Sequence, residues 1–531
     1  MAKTRVRLAA LVVAFATLVL VPTSVPDAAA GVQHRPGVAG GFASSLGIQP
    51  AIVSGKENTS AVVQNRSSAT SMIAMDIYTT GGVLVSGAGI LFTGVPPGGT
   101  RVFAQTANTG LATNFRGVGV VSSDQAFNAL LVRDIKASNG QKSYSIVNAH
   151  GTGSSKISLP FIMNNFGGRS TRFTVANTGG SVACITVVYS FLTGEAPVTA
   201  SGPGGSGCSG GQFPIPANGQ VSFARDNVDG AIPMPSTTAG KLMAVMITAV
   251  NSPVTASVDA FGGSAARRLA SYDGFEVGAS SSTTDDVSTS IAIPVSLKTR
   301  EGWYSQILLS NPNSSTASAT VTYRGTVDGY PTSPVSVPVT VPANGVVSQS
   351  VYHVTNLPVG FVGTAAISST QPLAVVLFRM KMTSAGSMVE EHQYTAANGV
   401  PIEQAATRVR LPLVFRHALK PSGSTKLGYN SWFSVMTANG GTANITIQAV
   451  NDPTSVCAGT YSSTVNTQVT GSRIFYQLLS SPVDNGFKDN PACFWGGVTI
   501  TSDKPIIVVA NVGNDLVENS DNDGLYNGFA E

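Results

Sequence analysis

Residues that could do chemistry are few in this chain, and their spacing does not assemble them. The single GxSxG motif is Gly207-Cys208-Ser209-Gly210-Gly211. A nucleophile elbow needs a strand before the serine and a helix after it. Here the motif lies inside "SGPGGSGCSGGQ", a glycine loop, so Ser209 reads as a loop residue. The five histidines, His34, His150, His353, His392 and His417, are scattered and show no HxH or HExxH spacing, so they support neither a metal centre nor a histidine base. Glu390 and Glu391 beside His392 are the densest polar cluster and read as a solvated linker. Paired carboxylates for glycoside hydrolysis must face one cleft, and spacing alone does not place two that way. The expectation is a protein that is not an enzyme.

The last thirteen residues, "NSDNDGLYNGFAE", imitate a calcium loop. Laid on an EF-hand, Asn519, Asp521 and Asp523 take positions 1, 3 and 5 and Gly524 takes 6, but position 12 is Ala530 and no helix flanks the segment. No cofactor is expected, and for metal only a weak surface calcium site at Asp521 and Asp523. A second reading compares "LYNGFAE" with "SYDGFEVG" earlier in the chain, both closing a repeat. It makes Tyr272, Phe275, Tyr526 and Phe529 candidates for an inter-domain or inter-subunit contact.

The elements that carry these residues follow from composition. Charged residues are 11% of 531, against about 25% in an ordinary soluble domain, while Gly, Ser, Thr, Val and Asn are abundant. No sustained helical stripe occurs beyond the N-terminus, so strands and turns are expected throughout. Residues 1–30 read as a signal peptide: Lys3, Arg5 and Arg7, an apolar run from Leu8 to Val21, and small residues leading to cleavage after Ala30. Without Lys3, Arg5, Arg7 and Asp27 the mature chain has 28 basic and 26 acidic residues. That balance gives no electrostatic case for nucleic acid, and no membrane span is expected in the mature chain. In an exported chain the four cysteines read as two local disulfides, Cys184 with Cys208 and Cys457 with Cys493.

Self-similarity organises the rest. Four segments open on an apolar strand around Pro50, Pro160, Pro294 or Pro412, and each is followed by a strand ending at Asn65, Asn177, Asn311 or Asn439. Downstream, "GVGVVSSDQAFNALLV", "GTAAISSTQPLAVVLF" and "GVTITSDKPIIVVANV" read as hairpins about a polar turn. The distances Asn65 to Gly117 and Asn311 to Gly363 are both 52 residues. Trp303 and Trp432 fall eight and seven residues before Asn311 and Asn439, so packing is favoured over a sugar-stacking platform for them and for Trp495. The pattern predicts an all-β chain: four tandem immunoglobulin-like antiparallel β-sandwich domains after a cleaved signal peptide. The expected boundaries are a flexible lead-in at 31–46 and repeats at 47–152, 153–280, 281–400 and 401–531, on short linkers that favour a semi-rigid rod.

The proline-started strand, the Asn turn, the "ANG" turn and the closing "YDGF" or "YNGF" resemble tandem immunoglobulin-like β-sandwich repeat proteins of bacterial cell surfaces. The resemblance implies a structural or adhesive role and brings no catalytic residues with it. The resulting expectation is a secreted, non-enzymatic structural protein of the bacterial cell surface, a subunit of a filament, fibre or surface layer or an adhesive stalk. Its partners would be further copies or other surface proteins. The alternative is a carbohydrate-binding module array attached to polysaccharide.

Overall fold

A computed structural model describes residues 42–48, 55–105, 108–112, 115–137, 142–149, 153–225, 230–262, 268–278, 286–326, 333–382, 390–452, 455–457, 461–516, 521 and 523–531. The segment read as a signal peptide, Pro50, His34 and His150 lie outside them. The described chain is all-β, and its strands form four sandwiches with one wiring scheme. In repeat four the first strand (Ala406–Arg416), the sixth (from Phe494), the third (Thr442–Asn451) and the fourth (Ser462–Thr470) make one sheet. The fifth (Ser472–Tyr476), the second (Tyr429–Thr437), the seventh (to Asn514) and the eighth (Asp523–Asn527) make the other. Phe42–Ile48 is the first strand of repeat one and pairs with Gly117–Ser123, so the end of the expected lead-in is part of a sheet. Glu390–Asn398 is the eighth strand of repeat three, so Glu390 to His392 lie in a strand and not in a linker.

The recurring block read as a hairpin is different in kind. Phe361–Met382 and Phe494–Asn514 are single long strands whose first halves pair in one sheet and whose second halves pair in the other. The polar turn is therefore a bend that carries the chain across the sandwich. Ser123, Ser369 and Ser502 each accept the N–H two residues on, and Pro253, Pro372 and Pro505 stand at the bend where no ladder donor is needed. The sixth and seventh strands thus lie in opposite sheets, while the seventh and eighth pair side by side. The architecture is an antiparallel β-sandwich.

The asparagine at the end of the second strand has a definite task. Asn65 Nδ2 donates to the carbonyls of Ala69, Val95 and Pro96; Asn177 to Ser181, Ile215 and Pro216; Asn311 to Ser315, Val341 and Pro342. One buried amide thus ties the crossover to the end of the fourth strand. In repeat four the equivalent residue is Thr437, whose hydroxyl donates to Gly441 and Gly471. Asn439, singled out by spacing, sits two residues further on. The prolines of the first strand also gain a reason: the register shifts at Pro160, Pro294 and Pro412, because proline cannot donate to the ladder and a bulge absorbs it.

The four sandwiches do not form a rod. The first strand of each repeat lies against the second strand of the next, and the first strand of repeat four lies against the second strand of repeat one. This head-to-tail contact, used four times, closes a ring. The cause is apolar surface. In repeat three, Leu308, Val376, Phe378 and Met380 point away from their own core and complete the core of repeat two, with Phe378 4.6 Å from Phe161. Val509 and Leu525 of repeat four join the core of repeat three, and Val62, Leu130, Val132 and Ile146 of repeat one join that of repeat four. A rod would leave three such faces in water, at about 25 cal/mol for each Å² exposed.

Candidate functional site

The eighth strands, Lys142–Asn148, Arg268–Asp273, Glu390–Asn398 and Asp523–Asn527, meet on the axis of the ring. The motif that closes each repeat explains how. Tyr272 is buried in its own sandwich, where its hydroxyl donates to Phe161 O and accepts from Phe161 N, the backbone freed by the proline bulge. Tyr526 repeats this on Leu413 O. Phe275 pairs with Ser158 and Phe529 with Arg410, both on their own first strand. The hydrogen bonds of Tyr272 and Tyr526 and the strand pairs of Phe275 and Phe529 thus lie within their own repeat, while the two tyrosine rings also pack against residues of a neighbouring repeat.

The residue between them makes the contact. Asn148 Nδ2 donates to Asn527 O and its Oδ1 accepts from Asn527 N. Asn398 does the same with Asp273, and Asn527 Nδ2 donates to Asn398 O. The register of the seventh and eighth strands makes Asn148, Asp273, Asn398 and Asn527 equivalent. The glycine after three of them, Gly274, Gly399 and Gly528, passes so close to the first strand that a Cβ would come within 2.7 Å of Ile157, Ile291 or Val409. "DG" and "NG" are thus axis contacts rather than hairpin turns.

At the other end of these strands stands Asp521, 1% exposed. Its two oxygens accept Leu269 N at 2.6 Å and Tyr394 N at 3.2 Å, and its backbone bridges to Ser143, so one residue of repeat four touches the other three repeats. Burial pushes its carboxyl well above the usual range, opposed by the two N–H groups and Arg268. Burial also raises Asp523, against the pull of Arg379, Asn511 and Lys381. These are the two residues read as a weak calcium site. Asp521 is instead a structural acceptor inside the ring, and among the described residues no group of three His, Cys, Asp or Glu could hold a metal ion.

Charged groups stiffen two interfaces. Between repeats one and two, Asp259 is paired with Arg133 and lies 3.2 Å from Arg172, and it accepts from Ser271 Oγ. Burial alone would raise this carboxyl, but the two guanidinium groups hold it below its ordinary value. Between repeats three and four, Arg379 is sandwiched by Trp303 at 4.6 Å and Trp432 at 5.3 Å, and burial lowers its pKa to about 10. The register makes Trp432 the counterpart of Gln306 rather than of Trp303. Trp495 is 6% exposed and packs on Phe415. None of the tryptophans forms an open platform.

Above the asparagine contacts the four repeats line a half-open chamber of about 760 Å³. Repeat one contributes Ile146 to Ala149, repeat two Ser271 to Asp273, repeat three Ala396 to Pro401 and repeat four Leu525 to Ala530. Elsewhere, the GxSxG loop is closed by the Cys184–Cys208 disulfide and by Gly202 to Gly211 bonds, with no helix after Ser209. Cys457–Cys493 is the second disulfide. His353 and His417 lie in different repeats, and neither lines the chamber. Among the described residues no helix is long and apolar enough to cross a membrane.

No family model matches the sequence, and no curated protein matches it. Among solved structures, the chain is similar to protein 1070 of Thermotoga maritima at 19% identity, over 24% of this chain and 96% of that one, with a TM-score of 0.18. A tetra-tandem repeat from the extending region of a large adhesion protein aligns at 12% identity over 92% of this chain and 98% of that one, with a TM-score of 0.10.

Proposed function

We propose that the chain is an exported, non-enzymatic binding protein of the cell surface, a self-contained ring that holds a small polar ligand in its axial chamber. The observation that carries this reading is the chamber itself. It lies where four repeats meet, its volume falls within the range of small-molecule sites, and its wall mixes apolar side chains with polar ones that could orient a ligand. The two disulfides fit an oxidising compartment outside the cytoplasm. The test is calorimetric titration of the mature chain with small sugars, amines and carboxylates, repeated on Ala530→Trp. Ala530 is exposed and lines the chamber, so the indole can fill the space without disturbing a core. Binding at one site per chain that this variant abolishes supports the reading; no binding by any class overturns it.

A second reading, assembly into a fibre or surface layer, is favoured by one observation. The fourth strands, such as Val335–Val341 and Ser462–Thr470, end their sheets in every repeat and stay outside the ring contacts. Unpaired edges are templates for strand addition. Negative-stain microscopy of concentrated protein tests it, and single rings at every concentration would count against it. Attachment to polysaccharide would need a sugar-stacking surface other than Trp303, Trp432 and Trp495.

A further inference from the structure

The fourth strand ends one sheet in every repeat, and in three of the four it is built in a way that hinders another strand from adding to it. In repeat one it is Ile90–Val95, only six residues long, with Gly94 in the left-handed region at a φ of 69° and a register shift against its neighbour. In repeat two it is broken into Val198–Thr199 and Phe213–Ile215, with the disulfide-closed glycine loop between them. In repeat three Val335–Val341 carries Pro338 at its centre, where there is no N–H to offer. Repeat four has none of these devices. Its strand Ser462–Thr470, "SSTVNTQVT", is nine residues without a proline, a glycine or a charge, and it runs in unbroken register against Thr442–Asn451. Among the described residues no strand pairs with its other side.

The strand also specifies what fits it. Exposed and buried positions alternate from Ser462 to Thr470 and read almost the same from either end. An antiparallel copy centred on Asn466 sets Ser463 beside Val469 and Val465 beside Thr467 on the core side. On the outer side it sets Ser462 beside Thr470 and Thr464 beside Gln468, with Asn466 against its own image. No charge meets a like charge, so the repulsion that discourages a strand from pairing with itself does not arise. The outer face already uses cross-strand pairs of this kind. Thr442 and Thr470 Oγ1 lie 2.9 Å apart, Thr446 Oγ1 donates to Asn466 Oδ1 at 2.8 Å, and Gln468 Nε2 donates to Asn444 Oδ1 at 2.9 Å. A second copy continues that ladder across a two-fold axis. The short helix Pro482–Asn485 packs beside the strand with Val483 exposed, which gives the join an apolar margin. The strand's main neighbours belong to its own repeat, so pairing there leaves the ring closed.

We propose that Ser462–Thr470 is where a second copy of this chain adds, joining two rings edge to edge about a two-fold axis at Asn466. This rests on the second reading above, that free edges mediate assembly, and narrows it to one edge and to a pairing that closes on itself. An interface of one strand is small and therefore weak, so sedimentation velocity of the mature chain should run from about 5 to about 500 μM. The expected result is a shift from one ring to two and no further. Asn466→Lys and Asn466→Glu each set a charge against its own image and should stay single rings throughout, while an equimolar mixture of the two should recover the dimer. Asn466 is exposed, so both variants should fold. Ser336→Lys, on the exposed side of the repeat three edge, should leave the dimer unchanged. Dimers that persist in Asn466→Lys, or a mixture no different from the separate variants, would overturn the assignment. Larger assemblies lost in Ser336→Lys and kept in Asn466→Lys would overturn it and leave edge-mediated assembly standing. Single rings at the highest concentration would overturn both.

Discussion

Phe378→Ala should open the ring between repeats two and three while leaving repeat three folded. Phe378 is fully buried, but its ring points outward from its own sandwich, packing 4.6 Å from Phe161 of repeat two and 5.2 Å from Tyr394. Removing a buried phenylalanine costs about 3 to 5 kcal/mol, and here that loss falls on the contact between repeats. Two measurements follow. Small-angle scattering of the mature wild type should give a radius of gyration near 23 Å, as expected for a compact chain of about 500 residues. A four-sandwich rod of roughly 150 Å, built from strands of ten or so residues, would give about 40 Å. Hydrogen exchange should show faster exchange in Phe378→Ala along the first strand of repeat two and the axial strands, with amides such as Leu308 and Leu309 unchanged. A wild-type radius near 40 Å would refute the closed ring. A variant that loses less than about 1 kcal/mol, with unchanged protection at Lys156–Asn164, would refute the claim that this ring buries the interface.

Other expectations concern single residues. Asn311→Ala removes the donor to three carbonyls and should cost about 2 to 3 kcal/mol in chemical denaturation, whereas Asn439→Ala, outside that corner, should cost less than half as much. Tyr272→Phe strips both partners from the Phe161 peptide and should cost about 1 to 2 kcal/mol. Reducing either disulfide, with loops of 24 and 36 residues, should lose about 3 to 4 kcal/mol by the chain-entropy relation. Asp521 gives a pH dependence. Burial holds its folded pKa above the unfolded value, so the stability it contributes is full below about pH 3.9 and is lost as pH rises through the raised folded value. Relative to Asp521→Asn, the wild type should therefore lose stability as pH rises through that window. A gap in its favour that widens with pH would show that the Leu269 and Tyr394 N–H groups and Arg268 outweigh burial.

How much of this was legible depends on which contacts are local. The proline bulge, the Asn corner and the serine bend each bind backbone within one repeat, so they recur at nearly constant spacing and could be read from self-similarity. Thr437 escaped because a hydroxyl there can do part of an amide's work, and the nearby Asn439 drew the alignment two residues off. The crossing of the sixth strand into the seventh was misread because a Ser-x-x-Pro turn between apolar runs marks a change of direction and does not say whether the second run stays in the same sheet. The ring was invisible for a different reason. Its signal is the second apolar face of the second, seventh and eighth strands, and a strand buried on both faces loses the alternation by which a face is recognised. Continuous runs such as "PLAVVLFRM" and "PIIVVANV" carry that information without showing where the second face packs. The chamber followed the ring into obscurity, since its wall is assembled from residues hundreds of positions apart.

Joining four like units in one chain allows what four separate copies could not have. In a ring of identical subunits every axial position is repeated four times, so a carboxylate there would appear as four carboxylates and an aspartate on the axis would clash with its own images. Here repeat four alone supplies Asp521 to the axis, where repeats two and three offer the Leu269 and Tyr394 N–H groups that it accepts. Repeat two alone puts Asp273 among three asparagines. Repeats one and three carry arginines at one register position, Arg133 and Arg379, and these meet different partners, a buried aspartate in one interface and two tryptophans in the other. Each of these departures sits at an interface or on the axis, where the four repeats meet, while the crossover corners stay nearly uniform. The sequence therefore diverges where asymmetry can shape a binding space and stays alike where each sandwich must hold itself together.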